Sequence, residues 1–425
     1  MESRLTSLKK PSDIFGIILG IISVYLLLFI NSMVYSSLFG LIIILHSIHL
    51  IYKSRGNKWF LVLSSVISYI NVSVAVLDCI MQGRMAKEYQ NALRMSSSGL
   101  CYIKCYLIVV LVLDIILSSN TINKMPNAAN EKERIIRYNP LIATGCALVS
   151  GILTVTQFGG SISDSYHSNQ NALYEYVPMI MILGLHYSNN QKVYNQIYGV
   201  IGLFYIITSL AGGDRSSAFM MLLMLTIWFW GKLFSVGKML LLSLAGIILS
   251  NIIAIIRTNS NMISDGLFNS LLSKGVLFFC SDTVSYSFYA GVTVVAYSNI
   301  YSGNMFDLTF RWVTSLVFGM TDSTNIIRMA QSYYPSGGGG MYPAYFYFMG
   351  GYVGVIVSSI LLSLIIKKVF LYYNEYSQLF QIALITYTFR WYLYSPFTLY
   401  RTLLINFTIL YVLCKISDCY LKKSG

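Results

Sequence analysis

One charged turn in the sequence lies between two apolar runs: it covers residues 212–217 and consists of the letters GGDRSS. The flanking runs, residues 195–211 and 217–230, are typical of membrane-spanning helices. A charge at a membrane face is costly unless it has a partner or a use. Arginine suits phosphate because its planar fork can donate two hydrogen bonds to one group. The turn therefore predicts a binding site for a phosphate-bearing molecule.

Two arginines are the first candidates for that site. Arg215 lies in the turn, and Arg257 follows the apolar run 239–256, so both are expected at the same membrane surface. Two guanidinium groups there could clamp a pyrophosphate through charge-assisted hydrogen bonds. The alternative for each is an interfacial anchor that reaches lipid phosphates. Asp214 is either the N-cap of the next helix or a carboxylate that orients an arginine or takes a proton.

Four further arginines are candidates for substrate binding. Arg390 and Arg401 lie in the outer halves of the last two predicted spans, where an arginine normally faces a polar cavity. Arg311 and Arg328 lie in a long outer loop, where solvated or salt-bridged side chains are the alternative.

The general base is left open by the sequence. A base for a sugar hydroxyl could be His167 or an aspartate of the outer loop, and these aspartates are Asp265, Asp282, Asp307 and Asp322. No P-loop, GxSxG, HExxH or DxD motif is present, and the cysteines have no metal-ligand spacing. We therefore expect neither a cofactor nor a metal.

Composition indicates a polytopic membrane protein. The chain has 425 residues, of which 56% are hydrophobic and only 11% are charged, whereas soluble domains carry about 25% charged residues. The net charge of +13 does not indicate nucleic-acid binding, because the basic residues cluster in short loops at one predicted face.

The apolar runs predict an all-α fold with about twelve transmembrane helices and one large periplasmic loop. The predicted spans are 14–30, 34–52, 59–80, 101–119, 139–157, 176–188, 195–211, 217–230, 239–256, 344–366, 379–397 and 399–414. The positive-inside rule puts both termini in the cytoplasm. The predicted domains are an N-terminal bundle (1–256), the loop (257–343) and a C-terminal part (344–425).

Two smaller expectations concern residues inside this layout. Residues 284–300 alternate apolar residues with Ser, Tyr and Gly, which favours an amphipathic or re-entrant segment; additional membrane spans in residues 269–300 are the alternative. Asp78 and Asp114 lie within predicted spans and are expected to make polar contacts between helices.

The layout resembles that of the O-antigen (Wzy-type) oligosaccharide repeat-unit polymerases of bacterial inner membranes. The similar features are the glycine-arginine turn at 212–216, Arg257 after the next helix pair, and the glycine-rich stretch 336–340 that leads to residues 350–354. The resemblance covers the whole chain. An acidic residue that many such polymerases have before the late span is absent, since residues 342–345 are YPAY.

The resemblance implies a GT-C-like membrane glycosyltransferase in the inner (cytoplasmic) membrane. Its substrates would be undecaprenyl-pyrophosphate-linked glycans, and its surroundings would be membrane lipid and a protein that regulates chain length. One lipid-linked glycan chain would be transferred to the sugar hydroxyl of another lipid-linked repeat unit. The outer arginines would hold the leaving pyrophosphate.

Three other classes remain as alternatives. An O-antigen ligase would be expected to carry a histidine late in the outer loop, and residues 257–342 contain none. A flippase or other transporter would be expected to have short loops and internal symmetry. A membrane acyltransferase would need a buried histidine, for which His46 and His49 are candidates.

Overall fold

A computed structural model describes residues 11–83, 92–125, 136–156, 172–211, 214–230, 280, 282–321, 324–372 and 374–424. Up to residue 230 the described chain forms helices α1 (Pro11–Phe29), α2 (Ser36–Ser54), α3 (Lys58–Val74), α4 (Ser97–Ile116), α5 (Ser119–Asn123), α6 (Pro140–Thr156), α7 (Val177–His186), α8 (Lys192–Ala211) and α9 (Arg215–Trp230). A π-helix, Ala75–Ile80, continues α3, and 3₁₀ turns, Met33–Tyr35 and Ala172–Tyr176, precede α2 and α7.

The later part of the chain continues in the same way. It forms α10 (Asp282–Ser298), α11 (Met305–Phe318), α12 (Ile326–Gln331), α13 (Met341–Leu371), α14 (Glu375–Thr386), α15 (Thr388–Trp391) and α16 (Thr408–Ser424). A π-helix, Thr398–Phe407, leads directly into α16.

Asparagine begins several of these helices. The side chains of Asn57, Asn304, Asn325 and Asn374 each accept a hydrogen bond from a backbone N–H in the first turn of the helix that follows. Such a cap satisfies one of the backbone donors that a helix start leaves without a partner. These polar residues therefore define where the apolar segments become helical.

Six helices of the described chain are long and apolar enough to cross a membrane. They are Met33–Ser54, Lys58–Ile80, Ser97–Ile116, Lys192–Leu210, Met341–Leu371 and Thr398–Leu421. Four shorter apolar helices accompany them: Ile14–Phe29, Pro140–Thr156, Leu173–His186 and Arg215–Trp230. An all-α membrane protein is thus the fold class.

The chain divides into two compact units, and neither is a continuous stretch of sequence. The first unit comprises Met1–Met125, Ser235–Leu371 and Tyr392–Ser395. In it α4 packs against α13, α10 and α2, and α2 packs against α3. Its glycine-rich segment, residues 337–340, fits closely under Tyr394, since a Cβ at Gly339 would come within 2.3 Å of the Tyr394 carbonyl oxygen. Glycine is thus required there by packing.

The second unit comprises Pro126–Phe234, Tyr372–Trp391 and Pro396–Gly425. In it α7 packs between α6 and α14, and α9 packs against α8, α14 and α15. This unit contains the predicted turn at α9 together with Arg390 and Arg401.

Two predicted segments differ in the structure. The predicted span 379–397 is interrupted, since α14 ends at Thr386 and α15 at Trp391. Pro396 disfavours a helix only through the few residues before it, which follow α15, and most side chains of α14 are buried against protein.

The segment 284–300 also differs from the amphipathic or re-entrant expectation. It forms α10, which is buried on nearly every side. Gly291 packs directly on Tyr102, whose ring would lie 2.2 Å from an added Cβ. The Ser and Gly residues that suggested a water-facing side instead allow close packing of helices.

Candidate functional site

The predicted turn at α9 is part of a cluster of charged side chains in the second unit. The Arg390 guanidinium binds the Asp214 carboxylate through Nη2, and Nη1 lies 3.3 Å from Oε1 of Glu175. Nη2 also donates to Oγ of Ser217, at 2.6 Å. We call Glu175, Asp214, Ser217 and Arg390 the Arg390 cluster.

Asp214 is held rigidly within this cluster. Its Oδ1 accepts hydrogen bonds from the backbone N–H of Ser217 (3.2 Å) and the hydroxyl of Ser216 (2.6 Å), and its Oδ2 accepts from the hydroxyl of Ser217 (2.6 Å). The bond to the backbone N–H at the third helical position is that of an N-cap. Asp214 therefore both caps α9 and orients Arg390. The cap and the arginine-orienting carboxylate, which the sequence left as alternatives, are both present.

The ionised form of Asp214 is favoured by these contacts. Burial alone would raise the pKa of Asp214, but the charge of Arg390 and the hydrogen bonds from Ser216 and Ser217 outweigh burial, and the pKa lies below its ordinary value. A carboxylate in this state is a poor proton acceptor. Its place favours orientation of Arg390 over general-base chemistry.

The two carboxylates on Arg390 are held unequally. The side chain of Asp214 is 13% exposed and that of Arg390 is 14% exposed, whereas the side chain of Glu175 is 39% exposed. Glu175 makes the longer contact with the guanidinium. Of the two carboxylates, Glu175 is the one that an incoming anion can displace at lower cost.

Arg215 is the first residue of α9 and is half-buried. The start of a helix carries backbone N–H groups without helical acceptors and a partial positive charge, so it attracts anions. Arg215 adds a full charge at that point, directly after the residue that binds Arg390. Gly212 and Gly213 lie outside the described residues.

Arg401 lies in the same unit, in the π-helix Thr398–Phe407. Its guanidinium carbon is 5.4 Å from the centroid of the Phe397 ring. Its Nε is buried and has no hydrogen-bond partner in the structure. The π-helix packs against α15, the helix of Arg390. Arg401 is thus a further cation in the same group of helices, besides Arg215 and Arg390.

Arg311 and Arg328 belong to the first unit, whereas Arg215 and Arg390 belong to the second. Arg311 forms an exposed ion pair with Asp307 one helical turn away, at 2.9 Å. Arg328 is exposed on α12. The solvated, salt-bridged alternative describes Arg311 well.

Several sequence candidates lie outside the described residues: Arg257, His167, Asp265, Asp322 and the predicted span 239–256. The predicted clamp of Arg215 with Arg257 therefore stays a prediction. Asp282 begins α10, and its side chain lies outside the described part.

Sequence reasoning missed Glu175 and Ser217. A buried or half-buried arginine needs a carboxylate partner, so the acidic residue at the start of the apolar run 176–188 was a usable signal for Glu175. Ser217 follows Asp214 at the spacing of a helix cap. Neither signal identifies Arg390 as the partner.

A second charged cluster lies in the first unit. Asp114 of α4 binds Nδ1 of His46 (2.7 Å), Nδ1 of His49 (2.9 Å) and Nζ of Lys53, all three on α2. Nε2 of His46 lies 2.8 Å from the hydroxyl of Ser23 on α1. We call His46, His49, Lys53 and Asp114 the Asp114 cluster. It confirms the expected contact of Asp114 between helices.

Asp78 likewise contacts other segments, as expected. Its Oδ1 accepts a hydrogen bond from the hydroxyl of Ser285 at 2.8 Å and lies 3.2 Å from Nη1 of Arg94. Nη2 of Arg94 donates to the Ser285 carbonyl oxygen at 2.8 Å. These contacts tie the end of the α3 segment to α10.

A third group of charges braces the second unit away from the Arg390 cluster. Arg137 donates to Glu375 (2.7 Å) and Asp418 (3.0 Å), and His186 contacts the other oxygen of Glu375 (2.9 Å). Burial would raise the pKa of Glu375, but the hydrogen bonds from His186 and Arg137 lower it to about 2. These contacts connect the segment before α6 with the start of α14 and with the C-terminal part of α16.

Within the described ranges no three His, Cys, Asp or Glu side chains are arranged to hold a metal ion. The Arg390 cluster, with Arg215 and Arg401, is the arrangement best suited to an anionic ligand. Comparison of the chain with protein-family models, with curated proteins and with solved structures finds no match.

Proposed function

We propose that this protein is a membrane glycosyltransferase of the Wzy type, which joins lipid-pyrophosphate-linked oligosaccharide repeat units. The observation that carries the proposal is the concentration of cationic groups at the start of α9: Arg215 in its first turn, and Arg390 bound to the residue that caps it. An anion-binding site at a helix end among apolar helices suits a phosphate group attached to a lipid.

The chemistry would require little from the protein besides placement and charge. The hydroxyl oxygen of the acceptor sugar attacks the anomeric carbon of the donor glycan, and a new glycosidic bond forms. The bond from that carbon to the pyrophosphate oxygen breaks, and its electron pair stays on the pyrophosphate. The hydroxyl proton passes to a base, for which His167 and the outer aspartates are the sequence candidates.

The arginines would act on the leaving group. Negative charge grows on the bridging oxygen as the bond breaks, and fixed cations at that place stabilise the transition state more than the ground state. Arg215 would supply a forked contact with the pyrophosphate. Arg390 would be oriented by Asp214 and Ser217, which leaves Glu175 as the group that the pyrophosphate replaces.

Balance of charge supports a role for a further cation. The positive charges of Arg215 and Arg390 are balanced by the negative charges of Asp214 and Glu175. A pyrophosphate therefore binds well only if a further cation is present or if one of the two carboxylates moves away. Arg401, with its buried Nε, is the candidate in the described part of this unit. Arg257 is the corresponding candidate from the sequence.

The finer architecture belongs to the same proposal. It comprises about twelve spans, a GT-C-like arrangement, cytoplasmic termini, and a site at the periplasmic face of the inner membrane. A regulator of chain length would be the protein partner. The apolar helices described above and the distribution of basic residues support this arrangement.

The surface glycan of a strain that lacks the gene tests the proposal. Loss of a polymerase leaves single repeat units on the lipopolysaccharide core, and the wild-type gene restores the ladder of longer chains. A core without any repeat unit would instead indicate a ligase or a flippase and would contradict the proposal.

A further inference from the structure

Helix α11 exposes a continuous apolar stripe. The side chains of Phe306, Phe310, Val313 and Val317 are 81%, 62%, 50% and 63% exposed. At about 100° per residue these four positions fall within roughly 60° of the helix circumference. Large apolar groups aligned in this way and left open to solvent indicate a surface that something else covers.

The opposite face of α11 is fastened to the first unit. Leu308 and Trp312 are buried there, and Trp312 meets the ring of Phe346 edge-on with centroids 6.1 Å apart. Asn304 caps the start of the helix, and Gly319 ends it with a φ of 102°. The stripe is therefore presented by a helix of defined orientation.

The contact with Phe346 places α11 beside the end of a membrane-crossing segment. Phe346 lies just before the kink of α13, where Gly351 has a φ of 58°. The helical part after the kink, residues 352–371, is about 30 Å long, the thickness of the hydrocarbon core. It exposes apolar side chains, such as Val353 and Val357, at 70% and 51%, as a lipid-facing helix does.

We infer that α11 lies in the headgroup region of the bilayer, with its apolar stripe inserted among the lipid chains. Its contact on α13, Phe346, lies roughly 6 Å along the helix axis from the kink. The lipid-facing part of α13 begins at that kink. The ion pair of Asp307 and Arg311 is about half exposed and lies beside the stripe, at the level expected for charges next to lipid headgroups. Amphipathic helices of this kind bury their apolar face about 5–10 Å into the headgroup and acyl boundary.

Lipid is a better occupant than another protein because α11 packs on α13, whose exposed apolar side chains are already suited to lipid. The kink of α13 and the contact of Trp312 bring the stripe and the exposed side chains of α13 into the same unit. This inference does not depend on the proposed enzymatic activity.

Photocrosslinking to lipid tests the inference directly. A benzophenone amino acid replaces Phe310, Val317 or Arg311 in the full chain, which is purified into nanodiscs of phosphatidylcholine and phosphatidylglycerol and irradiated. Mass spectrometry then measures the lipid adducts. Arg311 is the matched control, because it is exposed on the same helix but lies off the stripe.

We expect several-fold more lipid adduct from positions 310 and 317 than from position 311. Equal yields at the three positions, or a crosslinked dimer in place of lipid adducts, would overturn the inference. Two stripe positions are used so that misfolding of one variant leaves the other as a test. Only variants with the wild-type gel-filtration profile are compared.

Discussion

The Asp114 cluster and the Arg390 cluster are both groups of charges among apolar helices, but they differ in exposure. In the Asp114 cluster every charged side chain is at most 5% exposed, and the carboxylate has three cationic or imidazole partners. In the Arg390 cluster the carboxylate of Glu175 is 39% exposed, and the charges lie where helices begin or end.

The difference separates a structural role from a binding role. Buried charges that saturate one another have no place for a ligand, and removal of one leaves the others desolvated. Partly exposed charges at a helix start can exchange one partner for another. Intramembrane charge alone therefore does not identify a site, and partial exposure together with unequal anchoring is what makes the Arg390 cluster the candidate.

The largest effect is expected from Asp114→Ala. Removal of the carboxylate leaves the Lys53 ammonium buried without its counter-charge, which costs about 3–5 kcal/mol. The variant should be strongly depleted from membranes, as measured by quantitative immunoblotting and by the midpoint of thermal unfolding. Asp307→Ala, which breaks an exposed pair worth about 0–1 kcal/mol, is the control. Equal stability of the two variants would show that burial does not make the Asp114 cluster structural.

Arg390→Lys should reduce polymerisation by about 100-fold, because a misplaced catalytic charge has effects of that size. Lysine retains the charge but cannot bridge Asp214, Ser217 and Glu175 as a planar fork does. The rate is measured as repeat units joined per folded molecule. Arg137→Lys alters another arginine that bridges two carboxylates and should leave that rate unchanged. A wild-type rate for Arg390→Lys would remove Arg390 from the site.

Asp214→Asn separates the cap from the charge. Asparagine caps a helix about as well as aspartate, so the loss of stability expected at neutral pH comes from the missing charge pair with Arg390, and polymerisation falls as Arg390 loses its orienting charge. Because the pKa of Asp214 is lowered in the folded protein, its stabilisation is present above the ordinary aspartate pKa. That stabilisation is lost as the pH falls through the lowered value.

The unfolding midpoint, measured against pH, should accordingly fall less steeply at acid pH in Asp214→Asn than in the wild type. If the midpoint falls equally steeply at acid pH in both proteins, and the variant is fully active, Asp214 serves only as a helix cap.

The smallest effect is expected from Glu175→Gln, and it is a gain. Removal of one exposed negative charge should strengthen binding of inorganic pyrophosphate by a few-fold, since such charges contribute up to about 1 kcal/mol. Calorimetric titration of the purified protein measures the change. Glu375→Gln makes the same substitution in the Arg137 group and should leave the affinity as it was. Weaker binding in Glu175→Gln would contradict the displaceable role of this carboxylate.

Local features of the fold were predictable from the sequence. The starts of α9 and α3, the apolar runs of α2 and α4, and the capping interpretation of Asp214 depend on residues a few positions apart. Local propensity and hydropathy carry that information.

The pairings that make the site were not predictable in the same way. Arg390 lies 176 residues from Asp214 in the sequence, and only tertiary packing brings them together. The alternation of small and apolar residues in 284–300 is compatible with a water-facing helix and with a tightly packed one. The close packing of Gly291 against Tyr102 shows that the helix is tightly packed. This contact joins residues far apart in the sequence, so no local pattern predicts it.

The most direct test of the proposed function is polymerisation by the purified protein in nanodiscs, with one synthetic lipid-pyrophosphate-linked repeat unit as the sole substrate. The wild type should form a ladder of longer glycans and release one lipid pyrophosphate for each bond formed. Arg215→Ala should lower that rate by about 100-fold or more without loss of folded protein, and Arg215→Lys should also be impaired. A ladder formed by Arg215→Ala at the wild-type rate, or no ladder from the folded wild type, would contradict the account.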